Sequence, residues 1–185
     1  MTVNEIKPNI LCLEYRQEET DKDYGSCLWA RFMFNLDRYE LTITSDCGNY
    51  GYKWVETPKS ESFLGLMARV DDGYMLNKLY GSANLFDYEA TKKFAYKWYA
   101  DDEEDKEKLD KIFEEVEWMY EPETAELFLD KFDSENDGYF SDTWELPQYD
   151  YPANALKIVQ VFKDYIQPKI KEILKEQGKE KKLVL

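Results

Sequence analysis

Histidine is missing from this chain of 185 residues, and that absence excludes more chemistry than any residue present suggests. Without imidazole there is no Ser-His-Asp or Cys-His nucleophilic pair, no HExxH metal site, no mixed Cys/His zinc site and no side chain that ordinarily titrates near neutrality. Cysteine is scarce too. Cys12, Cys27 and Cys47 are odd in number and never spaced as CxxC, so they read as reduced thiols, mostly filling a core, and not as a disulfide framework. Eight glycines are present, but no GxGxxG, GxxxxGK[ST] or GxSxG arrangement cradles a phosphate or exposes a nucleophile. Cys47 beside Asp46 lacks a base, and neighbouring carboxylates oppose a reactive thiolate. No apolar run nears the roughly 18 residues of a membrane span, and MTVNEIKPN lacks the basic-then-apolar order of a secretory signal. The expectation is a cytoplasmic, non-enzymatic protein with no cofactor and no metal.

Basic residues are also in short supply. There are 24 Lys and Arg against 39 Asp and Glu, a net charge of −15 with a pI near 4.5. Such a surface repels nucleic acid and anionic membrane and attracts basic partners. Aromatic residues are abundant instead: fifteen Tyr, ten Phe and five Trp, enough for an aromatic core with tyrosines left over for a recognition surface.

The hydrophobic period changes once along the chain. NILCLEYR, LWARFMF, YELTITS and the Tyr50–Trp54 run alternate as strands, with NLDR and the Gly48-Asn49 region as turns. From Pro58 the period becomes helical. KSESFLGLMARV has Ser60 or Ser62 as N-cap, YMLNKLY forms a short helix, and DYEATKKFAYKWY follows Asp87 as N-cap. DDEEDKEKLDKIFEEVEWMYEPE comes next, then ETAELFLDKF, with Pro122 in its first turn and its end near Phe132. ANALKIVQVFKDYIQPKIKEILKEQ is a long amphipathic helix that Pro168 should kink. The fold class is α+β: an N-terminal antiparallel sheet of three to four strands packed against several C-terminal helices, in a single domain over 1–185. Residues 1–57 are mainly sheet, 58–176 mainly helical, and 177–185 a frayed tail.

Charge is segregated along this plan. Residues 101–150 hold 20 acidic and 4 basic side chains, a net −16, whereas residues 151–185 are net +4. Within the acidic segment, Leu109, Ile112, Phe113, Val116 and Tyr120 form an apolar stripe. Glu103, Glu107, Asp110, Glu114 and Glu117 form a carboxylate stripe at the same spacings of three and four, about a third of a turn away. A helix so built packs by one side and presents a regular line of negative charge on another. Basic clefts made for nucleic acid are read largely through such charge.

A second acidic group lies in DSENDGYFSDTWE. Anchored on Gly138 at the sixth position, Asp133, Glu135 and Asp137 fall at the first, third and fifth positions of an EF-hand loop. The twelfth position is Trp144 where a bidentate Glu is needed, Glu145 comes one place late, and Pro147 and Pro152 follow where a helix should leave. The run reads as an acidic Asn-Asp-Gly turn, with Asp133, Glu135 and Asp137 as a secondary binding patch.

The runs TITSDCGNYGYKW and ETPKSESFLGLMARVDDGYMLNKL, with the distal FKDYIQPKIKEIL, resemble uncharacterised small acidic proteins of phages, prophages and integrative elements of Gram-positive bacteria. The resemblance brings no catalytic motif. It implies a bacterial host and the company of inhibitors of host defence, of anti-CRISPR or anti-restriction type. The expected partner is a basic nucleic-acid-binding protein such as a Cas effector nuclease, its cleft met by the acidic residues above. The alternative is an immunity-like or adaptor protein that binds through a Tyr-rich sheet face.

Overall fold

The computed structural model describes residues 3–55, 62–118 and 120–183. The chain forms two compact units. Met1–Ser82 and Pro152–Leu185 build the first, and Ala83–Tyr151 builds the second. Ser60 lies outside the described residues.

The first unit contains the sheet. Strands β1 (Ile10–Arg16), β2 (Trp29–Asn35), β3 (Glu40–Ser45) and β4 (Gly48–Lys53) pair antiparallel in chain order. The register aligns Leu13 with Phe32, Phe32 with Ile43 and Ile43 with Tyr50, so one face collects the apolar alternates. Ala30, Phe32, Phe34, Leu41 and Ile43 are fully buried there. The opposite face carries the polar row Glu14, Arg31, Thr44 and Asn49. On it Glu14 pairs with Arg16 at 2.5 Å and with Arg31 at 3.6 Å. The β3–β4 turn needs glycine at position 48. Its φ is +118°, and an added Cβ would meet the Tyr50 hydroxyl at 3.0 Å. The fourth strand stops at Lys53. Trp54 leaves the ladder to pack on Phe63, ring centroids 5.5 Å apart, and its indole donates to the Tyr74 hydroxyl at 2.9 Å.

Helices cover the apolar face of the sheet. Helix α1 (Phe63–Met67) is capped by Ser62, whose hydroxyl accepts from the Gly65 amide at 3.1 Å, and α2 (Asp72–Leu79) by Asp71 in the same way. The C-terminal segment runs in three consecutive pieces: a helix at Ala153–Val161, a π turn at Phe162–Ile166 and a helix at Gln167–Leu183. The kink expected at Pro168 takes the form of that wide turn. Proline has no amide to give and its ring crowds the carbonyl four residues back, at Asp164, which lies inside the turn. The π turn also aims Phe162 at Phe32 and Tyr165 at Tyr15, with centroids 6.1 and 4.8 Å apart. Just beyond it the buried Gln167 amide donates to the carbonyls of Met67 and Val70 at 3.1 and 2.9 Å, serving acceptors that the short α1 leaves open.

The second unit is mainly helical: α3 (Tyr88–Tyr99), α4 (Glu103–Val116) and α5 (Ala125–Asn136). The two C-terminal helices of the first unit are accordingly α6 and α7. Asp87 caps α3 as its position suggests, accepting from the Ala90 amide at 2.8 Å. A short ladder of β5 (Leu85–Asp87) with β6 (Gln148–Asp150) joins the ends of the unit, a pairing too brief for sequence period to reveal. Leu109, Ile112, Phe113 and Val116 enter a core with Phe128, Phe132, Phe140 and Leu146. Tyr120 does not join them. Helix α4 ends at Val116, and beyond its end the 3.6-residue period no longer applies, leaving Tyr120 59% exposed. Pro122 precedes the true cap, Thr124, and α5 continues past Phe132 to Asn136. No helix among the described residues is long and apolar enough to cross a membrane.

Replacing Gln167 with Met keeps the volume and removes both donors. Two buried carbonyls then lose their partner, and the unfolding free energy should fall by about 1–3 kcal/mol. The expected reading is a lower urea midpoint with an unchanged slope; an unchanged midpoint would mean these bonds contribute nothing net.

Candidate functional site

Charge divides between the units as it does along the sequence. The Ala83–Tyr151 unit holds 22 acidic and 7 basic side chains, net −15, while the other unit holds 17 of each and is neutral. The whole net charge of the protein therefore belongs to three helices and their connections.

Helix α4 presents most of it. Asp102 caps the helix, its carboxylate accepting from the Asp105 amide at 3.0 Å, and Glu103, Glu104 and Asp105 fill the first turn, where the helix dipole favours negative charge. The five carboxylates of the predicted stripe share one side of α4 but behave in two ways. Glu103, Glu107 and Glu114 point to solvent, with Lys106 3.8 Å from Glu103. Among the described residues, Glu107 and Glu114 have no hydrogen-bond or ion-pair partner. Asp110 and Glu117 instead lie along the seam with α3. Asp110 accepts from the Tyr96 hydroxyl at 2.6 Å, and Glu117 accepts from Tyr88 at 2.7 Å and from the Lys92 ammonium. Burial opposes the charge on Glu117. The Lys92 and Tyr88 hydrogen bonds outweigh it, and the carboxyl sits below its ordinary value. Burial, then the bonded carboxylate, pushes the hydroxyls of Tyr88 and Tyr96 upward.

The secondary patch is on another flank. Asp133 and Glu135 are exposed in the last turn of α5, and Asp137 is its C-cap in the left-handed region at φ 49°. Helical backbone therefore occupies the first four positions of the would-be calcium loop, and the side chains cannot converge. Among the described residues no three carboxylates here bring oxygens within 4.8 Å of one another. The turn is closed by Asn136, buried and bonded twice to the Phe140 backbone at 2.8 Å, as donor and as acceptor. Tyr139 donates to Asp105 at 3.0 Å and Lys108 to the Glu135 carbonyl at 3.1 Å, which sets this patch beside a face of α4 different from the stripe.

Between α4 and α5 lies a feature the sequence reading missed. A groove of about 520 Å³ is lined by Glu115, Trp118, Tyr120, Asp130, Lys131, Ser134 and Glu135. Trp118 is 72% exposed at its rim. Lys131 crosses the groove floor, donating to the Val116 carbonyl at 3.1 Å at the C-terminus of α4 and standing over the Tyr120 ring at 4.6 Å. An exposed Trp among carboxylates was the available signal. The unit offers many acceptors and flat rings, suited to Lys and Arg side chains.

The sequence matches a family described as a phage family over residues 4–172. No curated protein and no solved structure matches the chain.

Glu117 supplies a pH test. A carboxyl held below its unfolded value of 4.5 contributes stability that is present above pH 4.5 and lost as pH falls through the lower folded value. Glu117→Gln should therefore cost about 1 kcal/mol at pH 7, a partly exposed ion pair being modest, and less at pH 2.5. Thermal unfolding followed at both pH values checks it; an equal cost at both would assign the effect to packing.

Proposed function

The chain belongs to this phage family, and from that premise we propose that the Ala83–Tyr151 unit is an acidic module that blocks a basic nucleic-acid-binding protein of bacterial defence, of anti-CRISPR or anti-restriction type, by standing in for nucleic acid. One observation carries the reading: all of the net charge, −15, lies in one unit while the other is neutral. A charge present only for solubility has no reason to be so confined. On α4 the outward carboxylates Glu103, Glu107 and Glu114 rest on a packed helix, so they meet a partner with little loss of backbone freedom. Asp110 and Glu117 are already engaged by Tyr96, Tyr88 and Lys92, so their part is to hold the row in place. Such a surface speeds encounter with a basic cleft at low salt, and the advantage is screened over about 8 Å at physiological ionic strength.

The Tyr-rich sheet surface, the basis of the immunity or adaptor alternative, has less behind it. Tyr15, Tyr50 and Tyr52 point to the covered face: Tyr15 packs at a tilt against Tyr165, Tyr50 donates to the Cys47 carbonyl, and Tyr52 packs edge-on against Trp54.

The test is capture from bacterial lysate at low salt, with elution by a salt gradient and identification by mass spectrometry. The expected catch is a nucleic-acid-handling protein that leaves at moderate salt and is displaced by its own DNA or RNA. Changing Glu103, Glu107 and Glu114 together to Lys should weaken that binding on the order of a hundredfold, at roughly 1 kcal/mol for each reversed contact, with helicity retained by circular dichroism. A partner indifferent to salt, to nucleic acid and to the triple change would overturn the proposal.

A further inference from the structure

The sheet unit holds a cluster of donors unrelated to the acidic face. Cys27 lies two residues before β2, and Asp46 and Cys47 form the tight β3–β4 turn. Antiparallel pairing of β2 with β3, Ala30 opposite Ser45, carries these positions to the same end of the sheet. Both thiols are buried, at 0% and 4% exposure, and the two sulfurs and a carboxylate oxygen all lie within 4.8 Å of one another. We propose that Cys27, Asp46 and Cys47 bind a divalent, thiophilic metal ion, with Zn²⁺ the best fit to two sulfurs and one oxygen.

The geometry supports this at each ligand. A tetrahedral zinc with Zn–S near 2.3 Å and Zn–O near 2.0 Å separates sulfur from oxygen by about 3.5 Å and sulfur from sulfur by about 3.8 Å. Cys27 Sγ and Asp46 Oδ1 are already 3.6 Å apart. The carboxylate is oriented from behind: the Leu28 amide donates to Oδ2 at 2.8 Å and the Trp29 amide to Oδ1 at 3.3 Å, turning Oδ1 toward the sulfurs. The turn that carries Cys47 is pinned by Tyr50, whose hydroxyl donates to the Cys47 carbonyl at 2.9 Å. Cys47 Sγ is fixed on its other side by donating to the Ser26 carbonyl at 3.2 Å.

Charge balance favours the exchange. Without metal the cluster holds two neutral thiols and one carboxylate, net −1. With metal, two S–H bonds break, two Zn–S bonds form, two protons leave to solvent, and the cluster is again −1. The site, two buried thiols and one exposed carboxylate, gains its ion with no added net charge. The spacing hid this cluster, because its ligands lie 19 and 20 residues apart and match no short metal motif.

The test uses the reduced, metal-free full chain titrated with Co²⁺ and then Zn²⁺. The expected result is a thiolate-to-cobalt charge-transfer band that saturates at one ion per chain, is bleached by Zn²⁺, and accompanies release of about two protons per ion at neutral pH. Cys12→Ser and the triple Lys change on α4 should leave the band intact. Cys27→Ser and Cys47→Ser should abolish it, and Asp46→Asn should weaken it by tenfold or more. Absence of the band in the folded wild-type chain overturns the assignment without recourse to any variant. So does its survival in Cys47→Ser.

Discussion

Ring packing around Phe113 is the interaction on which the acidic unit depends. Its ring meets Tyr96 at 5.4 Å, Phe132 at 5.7 Å, Phe128 at 6.3 Å and Tyr88 at 6.5 Å, and so draws α3, α4 and α5 together at one point. Twenty-two carboxylates in one small unit repel one another, and the force that holds them must not itself depend on charge. Burial of apolar rings meets that condition, at roughly 1.5–3 kcal/mol for each fully buried phenylalanine. Offset and edge-on ring pairs add a little more.

Around that core, α4 sorts its side chains by distance from the rings. Leu109, Ile112, Phe113 and Val116 are buried. Asp110 and Glu117, at the edge of the core, accept hydrogen bonds from α3. Glu103, Glu107 and Glu114 project into water. One helix thus combines apolar packing, charge-assisted bonding and an ionised surface within a single circumference, and the second of these fixes where the third points. Helix α5 repeats the arrangement more loosely, with Lys131 reaching back to the open end of α4.

The neutral unit meets a different demand. Its sheet is apolar on one face only, and the helices over that face are short or interrupted, which leaves backbone groups to be served by side chains. Ser62, Asp71, Asp46 and Gln167 do this at separate ends. Asp46 has a double place in that scheme: by holding the Leu28 and Trp29 amides it also brings a carboxylate against two buried thiols. Burial, which protects a thiol from solvent, at the same time pushes the Cys27 proton affinity up, with Cys47 and Asp46 adding to the effect.

The sequence by itself determined the strands of the four-stranded sheet, the helical segments, the cap at Asp87 and the choice of Ser60 or Ser62 before α1, the carboxylate stripe and the confinement of charge to the middle of the chain. These follow from alternation, from 3.6-residue spacing and from short-range capping, all of which act within a turn or two of the residue concerned. Tertiary structure decided the rest. It ended α4 before Tyr120, carried α5 through Asp133 and Glu135, and converted the Pro168 kink into a π turn. It also turned Asp110 and Glu117 toward α3, set Gln167 against carbonyls up to 100 residues away, and brought Cys27 to Cys47. The last three are contacts between segments distant along the chain. Such contacts depend on which apolar faces find one another, a property of the packed core that no local pattern encodes.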